Sequence, residues 1–489
     1  MHLTKGTSRR SVIQRHLLPV LLEWMSLGAC PDNALLNFRI LSETVGNSHW
    51  YLGFLRDSNF ACMRLCKILS NSSFISRQLV DFPEAIKWLE NDDDLKPRSF
   101  DVLMSEIDAI FQRYSDCDVI ITHLRRIRAR EFIRIAISDC IFGINVLETI
   151  KYVSMLNDLV LSGAYRIAID NIYKKFVEYE NLPIDFSFDK FSFAIFAMGR
   201  LGGNECVFSS DADVLYAYDY DSVDVSSDLD NFLSNFACEI ASFISQLLMS
   251  IGEELPLDVD LGLRPEGNSG RIARSLSSYA KYFQKWTCSW ERHALIRCRF
   301  VAGSVDLKNK FLYLVDNLRY NSVLSEDSLR QIRRLKARMD VERIPRSVKA
   351  SRHIKFGRGG LCDVEWAVQV LQLKFAFKHV RLRTTNTLQA LQALYELGII
   401  SSVQKNVLYK AWTLATSIRI CNILSTGKLN SKDNDILPRD ENIERNVNYL
   451  LGNVSPDLWL VEEQYLSSAR QCAKVYEELF FADLDELDK

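Results

Sequence analysis

A break in pattern near the middle of the chain narrows the fold more than any other feature. Phe191-Ser-Phe-Ala-Ile-Phe-Ala-Met198 is a short, aromatic-rich apolar run that stops at Gly199, and Val214-Leu-Tyr-Ala-Tyr218 is a second such run. Runs of this length and composition, closed by glycine, predict buried strands. Leu257–Leu263 predicts a third. On either side, apolar residues recur at three- and four-residue intervals, which predicts helices. They do so at 17–22, 61–69 and 132–161, and again from Ser277 to the C-terminus. Phe232, Phe236, Ile240, Phe243, Ile244, Leu247 and Ile251 mark one stripe of an amphipathic helix that Gly252 should end. Only 10 Pro and 20 Gly occur in 489 residues, few breakers for such a length. The expected fold is mostly α with a small α/β (α+β) core. Residues 1–180 are expected to form a helical N-terminal region, 181–305 the α/β core and 306–489 a C-terminal helical domain.

Charge and cysteine usage exclude several classes of function. Lys and Arg number 60 against 62 Asp and Glu, a net charge of -2. That balance gives no electrostatic case for a nucleic-acid partner, whose phosphates need clustered cations. The longest stretch free of Asp, Glu, Lys and Arg is Ile240–Gly252, 13 residues. A membrane span needs about 20, so a soluble, cytoplasmic protein with no membrane partner is expected. The 12 cysteines include no C-x-x-C pair, and the seven histidines no H-x-x-x-H. Reduced thiols packed as small apolar groups are expected rather than a zinc site.

The island between the helical regions carries the chemistry. Asp211 and Asp213 stand two apart at the start of a predicted strand, so both side chains fall on one face. Neighbouring carboxylates raise each other's pKa unless a divalent ion neutralises them. Hard oxygen ligands suit Mg²⁺ or Mn²⁺. Asp258-Val-Asp260 brings further carboxylates on the next strand. Two metals held by three carboxylates are one solution for in-line displacement at phosphorus. Upstream, Gly202-Gly203 and Ser209-Ser210 offer a flexible turn with backbone N–H and hydroxyl donors for phosphate.

Gly202-Gly203-Asn-Glu205, followed by Ser210-Asp211-Ala-Asp213, resembles the signature of the polymerase-beta-like nucleotidyltransferases. More narrowly it resembles the glutamine synthetase adenylyltransferase family. Three further segments resemble that family's motifs in the same order. They are Val259-Asp260-Leu-Gly-Leu263-Arg264-Pro265-Glu266-Gly267, Trp290-Glu291-Arg292-His-Ala-Leu295-Ile-Arg297-Cys-Arg299, and Gly359-Gly360-Leu-Cys-Asp363-Val-Glu365 with Gln369. Members are about twice this length and are similar to two fused halves. Residues 14–38 resemble the opening of the second half, which attaches AMP, and 363–388 resemble its end. The half that removes AMP is not matched, so deadenylylation is absent, separately encoded or carried upstream.

The resemblance implies transfer of AMP from ATP to a tyrosine hydroxyl of glutamine synthetase, with release of pyrophosphate. It implies two Mg²⁺ ions, or Mn²⁺, on Asp211, Asp213 and Asp260, with Asp260 as general base. Gly202, Gly203, Ser209 and Ser210 would line the triphosphate. Arg264 would meet a phosphate or form a structural ion pair. Asp258 is set aside, because the family pattern selects the aspartate after Val259. Glutamine synthetase is the implied partner, and a PII-type signalling protein an implied regulator. Two other readings stay open: a nucleotidyltransferase with another protein or small-molecule acceptor, and a non-catalytic fragment that binds glutamine synthetase.

Weaker features carry plainer expectations. Arg125-Arg126-x-Arg128-x-Arg130 predicts an exposed helix face. Arg352, Lys355 and Arg358, before Gly359-Gly360, mark either a plain loop or a contact to phosphate or protein. Asp363 and Glu365, two apart in a helical setting, should point to different faces and serve helix capping rather than catalysis. Trp286 and Trp290 predict a core stripe, and 425–440 a polar loop.

Overall fold

A computed structural model of the protein describes residues 9–45, 49–178, 183, 185–222, 225–249, 255–320, 324–453 and 460–482. Helices dominate it, and five strands form one small sheet: β1 (Phe191–Ala197), β2 (Ala212–Tyr220), β3 (Val259–Asp260), β4 (Ala273–Ser275) and β5 (Arg299–Gly303). β1 lies between β2 and β5 and is antiparallel to both. β3 and then β4 run parallel to β2, pairing with its residues 212–213 and 216–218. The protein is therefore mostly α with a small mixed α/β core, as the patterning predicts.

Both faces of the sheet are covered, which is why β1 and β2 read as continuous apolar runs rather than alternating ones. Phe193, Ile195, Val214, Tyr216 and Tyr218 face the main core, which extends from Leu21 to Leu479. Ala194, Phe196, Leu215 and Ala217 face a second cluster with Tyr279 and Phe311. There the Phe196 and Phe311 rings lie 4.1 Å apart, and the Tyr279 hydroxyl donates to the Tyr216 carbonyl at 3.2 Å.

The N-terminal helices are opened by side-chain caps. Ser58 accepts from the Ala61 amide and Ser72 from the Ile75 amide. The apolar periodicity over 132–161 spans two helices, Cys117–Phe142 and Val146–Glu178. The break falls at Gly143, whose φ of 94° lies in the region that favours glycine. Helix Ser227–Met249 carries the predicted stripe; Ile251 and Gly252 lie outside the described residues. Among the described residues it is the one helix long and apolar enough to cross a membrane. Its face of Leu233, Phe236, Ala237, Ile240, Ile244 and Leu248 is buried, against helix Val146–Glu178 and β4. In the C-terminal region, every residue of helix Leu361–Phe375 is buried. It packs between helices Thr387–Glu396, Ser402–Thr426 and Leu460–Phe480.

Three expectations are corrected. The third strand shrinks from 257–263 to Val259–Asp260, because the chain turns where the Arg264 amide donates to the Leu261 carbonyl at 3.2 Å. The arginine run is not an exposed face: Arg125 is 7% and Arg128 3% exposed. Arg128 donates to Asn157 Oδ1 at 2.9 Å and to the Leu255 carbonyl at 3.0 Å, so this helix face ties the island to the N-terminal region. Trp286 is no core residue, being 70% exposed just beyond helix Leu276–Lys285, and Trp290 is only partly buried.

Candidate active site

Strand register assembles the carboxylates. β3 runs parallel to β2 with Asp260 paired to Asp213, and Ala212 donates its amide to the Asp258 carbonyl at 2.8 Å. Adjacent strands lie about 4.8 Å apart, so side chains in register on one face converge. Asp211, two residues before Asp213, joins them. Carboxylate oxygens of Asp211, Asp213 and Asp260 lie within 4.8 Å of one another. The loop after β3 orients Asp260, whose Oδ1 accepts from the Gly262 amide at 2.7 Å.

Electrostatics make this cluster costly for the bare protein. Burial, then Asp211 and Asp260, push the Asp213 carboxyl up to about 7, against the opposing pull of Lys355. Burial also raises Asp211, with Lys355 opposing and Asp260 adding. Three converging hard oxygens that repel one another fit a divalent cation, whose charge offsets that repulsion.

Gly199 is a site residue that the sequence marks only as a strand end. Its φ is 51°, and a β-carbon there would stand 2.1 Å from Asp213 Oδ2. The glycine therefore makes room for the Asp213 carboxylate. Gly202 and Gly203 are set by packing. A β-carbon at Gly202 would lie 1.8 Å from the Arg297 carbonyl, and one at Gly203 3.1 Å from the Glu205 carboxyl carbon. Ser210 closes the turn before Asp211, its hydroxyl accepting from the Val207 amide at 2.9 Å.

Ser209, Ser210 and Asp211 open onto a cleft of about 310 Å³ beside the carboxylates. Arg128, Arg200, Lys355, Arg419 and Lys432 line it, with Asp258 and Asp435 as further acids. Its far wall is the 429–435 segment of the predicted polar loop. That wall is pinned by Asn422, which donates to the Asn434 and Ile436 carbonyls at 3.0 Å, and by the Arg419–Asp435 ion pair. The basic loop around Lys355 thus has a place in the site that its sequence left open.

Arg264 is engaged elsewhere. Its guanidinium donates to the carbonyls of Leu261, Asn268 and Gly270 at 2.8–3.1 Å, shaping the loop after β3. Neither a phosphate contact nor a carboxylate partner is needed to explain it. Asp363 and Glu365 point to different faces, as a spacing of two on a helix requires. Asp363 pairs with buried Lys336 at 2.6 Å and accepts from the Gly359 amide at 2.6 Å, a helix-start role. Glu365 instead faces the island, where Arg200 reaches it at 2.9 Å.

Comparison with known proteins agrees with this geometry. Residues 62–314 match the glutamate-ammonia ligase adenylyltransferase family, and residues 329–480 match GlnD PII-uridylyltransferase. The chain is 38% identical over 98% of its length to the bifunctional glutamine synthetase adenylyltransferase/adenylyl-removing enzyme of Leifsonia xyli subsp. xyli, and covers 45% of that protein. It is 37% identical over 98% of its length to the proteins of the same description from Bifidobacterium longum and Streptomyces coelicolor, covering 44% and 48% of them. The chain spans about half the length of the curated relatives it matches. With more than half of its residues matched, including the whole carboxylate site, the chain belongs to the glutamate-ammonia ligase adenylyltransferase family.

Proposed function

We propose that this chain transfers AMP from ATP to a tyrosine hydroxyl of glutamine synthetase and releases pyrophosphate. The single observation that carries this reading is the convergence of Asp211, Asp213 and Asp260 within 4.8 Å in a chain of this family. Residues 181–305 carry the catalytic groups, between helical regions at 1–180 and 306–489. Two Mg²⁺ ions, or Mn²⁺, held by the three aspartates would neutralise the triphosphate and lower the pKa of the attacking phenol.

The chain's own residues divide the remaining work. A phenol has a pKa near 10 and is a poor nucleophile at neutral pH. Asp260 is exposed at the mouth of the site, where an incoming protein side chain can reach it. Held by the Gly262 amide, it receives the tyrosine proton as the oxygen attacks the α-phosphorus. The bond from the α-phosphorus to the bridging oxygen breaks, and pyrophosphate leaves with the electron pair. Ser209 and Ser210 border the cleft that takes the phosphates, and Gly202 and Gly203 are packed in the buried turn that follows β1. Arg264 supports this arrangement by holding the loop that presents Asp260. A PII-type signalling protein is the proposed regulator, acting through residues 329–480, whose match to GlnD PII-uridylyltransferase supports it. A cytoplasmic location follows from this substrate and partner.

The test is incubation of the purified chain with ATP labelled at the α-phosphate, Mg²⁺ and glutamine synthetase. Label on a glutamine synthetase tyrosine is expected. Label on another acceptor would mean a different nucleotidyltransferase, and a stable complex without label would mean a binding fragment.

A further inference from the structure

We propose that Glu365 is a positioning residue for nucleotide binding, holding the Arg200 guanidinium in the cleft where it meets the phosphate chain. The inference rests on the cleft being the nucleotide site. Glu365 belongs to the fully buried helix Leu361–Phe375 of the C-terminal region, whereas Arg200 lies in the short helical turn Gly199–Gly202 that follows β1. The two are 165 residues apart in sequence and 2.9 Å apart in space.

Four charges, three of them buried and Arg200 partly so, meet at this junction in alternating sign. Arg297 pairs with Glu205 at 3.1 Å, approaches Glu365 at 3.7 Å and donates to the Thr387 hydroxyl at 2.6 Å. Arg200 pairs with Glu365 and donates its second terminal nitrogen to the Glu205 carbonyl at 3.2 Å. Of these four, Arg200 alone lines the cleft, beside Ser209, Ser210, Asp211 and Lys355. A guanidinium carries five N–H donors in a fixed fork. The two bonds to Glu365 and Glu205 fix the plane of the Arg200 fork and leave donors for a phosphate oxygen. A planar guanidinium held in this way loses little rotamer freedom on binding, which favours bidentate recognition of phosphate. The helix that carries Glu365 thus serves the nucleotide site without itself lining the cleft.

Binding of ATP with Mg²⁺ to the full chain, measured by calorimetry, tests the proposal. Glu365→Gln keeps the side-chain shape and removes the charge. Its affinity for ATP is expected to fall about tenfold, the size of one charge-assisted contact. Arg200→Gln should show the same loss, and the double variant no greater loss than the weaker single one. Adenosine, which lacks phosphates, should bind both variants as it binds the parent. A merely structural role would weaken both ligands together, and that result would overturn the proposal. Unchanged ATP affinity in Glu365→Gln, or in Arg200→Gln should the former not fold, would overturn it as well. Additive losses in the double variant would do the same. Failure of the parent chain to bind ATP would instead remove the nucleotide-site reading itself, and this proposal with it.

Discussion

The Arg297–Glu205 pair joins the strand island to the C-terminal helices, and replacing Arg297 by Met exposes what it does. Glu205 is fully buried. Besides Arg297, its carboxylate accepts from the Thr387 amide at 2.5 Å and the Thr387 hydroxyl at 3.1 Å. Burial drives this carboxyl upward, and Arg297 is the largest opposing influence. Removing one partner of a buried pair costs about 3–5 kcal/mol. A ceiling applies here, because the stranded carboxylate can bind a proton instead. Bringing a group of ordinary value 4.5 to its neutral form at pH 7 costs about 3.4 kcal/mol. The sign follows from linkage. Burial holds the folded-state pKa of Glu205 above its unfolded value even beside Arg297, and losing Arg297 raises it further, so the variant's native state holds a proton that the unfolded chain lacks at pH 7. Stability is then retained at low pH and lost as pH rises, by about 1.4 kcal/mol per unit. The cost of Arg297→Met should therefore be at most about 3.4 kcal/mol at pH 7 and should shrink as pH falls to 5.5, by no more than about 2 kcal/mol. Urea unfolding of variant and parent at both pH values measures it. Equal costs at the two pH values, or a cost under about 1 kcal/mol at pH 7, would refute the reasoning.

Other expectations follow from individual residues. Gly199→Ala places a methyl group against the Asp213 carboxylate. It should cost about 1 kcal/mol of stability for the left-handed backbone yet lower AMP transfer at least about tenfold, since a displacement of about 1 Å at a reacting centre has effects up to 10²-fold; full transfer by a folded variant would show that Asp213 need not sit there. His293 is buried against Trp366, with ring centroids 4.4 Å apart, and burial pushes it down to about 3. It stays neutral in the native state, so its contribution is present above pH 6.5 and is lost as pH falls towards 3, by about 1.4 kcal/mol per unit. His293→Leu should flatten the loss of stability between pH 6.5 and 4.5 in urea unfolding; an unchanged slope would contradict the neutral assignment. Asp260→Asn should lower kcat for AMP transfer by about 10²-fold or more while leaving the KM for ATP near its parent value, and an effect confined to KM would reject its role at the nucleophile.

Local pattern revealed part of this molecule, and long-range packing hid the rest. β1, β2 and the shared face of Asp211 and Asp213 are legible because strand periodicity is a property of neighbouring residues. Asp260 is legible through its motif, although the pairing that brings it to Asp213 involves only two residues on each strand. The overlong third strand is the same limit from the other side: Gly262 and Pro265 signal a turn nearby, but the apolar residues around them read as more strand. Charge misled where it is buried: Arg125 and Arg128 look like a surface run, but they span from the N-terminal helices to the island. The far wall of the cleft lies some 220 residues beyond Ser209 in sequence. Its loop composition is plain, and its position is not. Gly199 carried a usable signal, a glycine ending one strand beside the acidic start of its partner.

The most direct test of the site is quantitative labelling of glutamine synthetase by the parent chain and by Asp213→Asn, with ATP labelled at the α-phosphate and Mg²⁺ in excess. Asp213 lies at the centre of the cluster, paired in register with Asp260. Removing its charge should abolish labelling while leaving the melting temperature at or above that of the parent, because a repelling carboxylate is lost from a crowded site. Near-normal labelling by the folded Asp213→Asn chain would contradict the account.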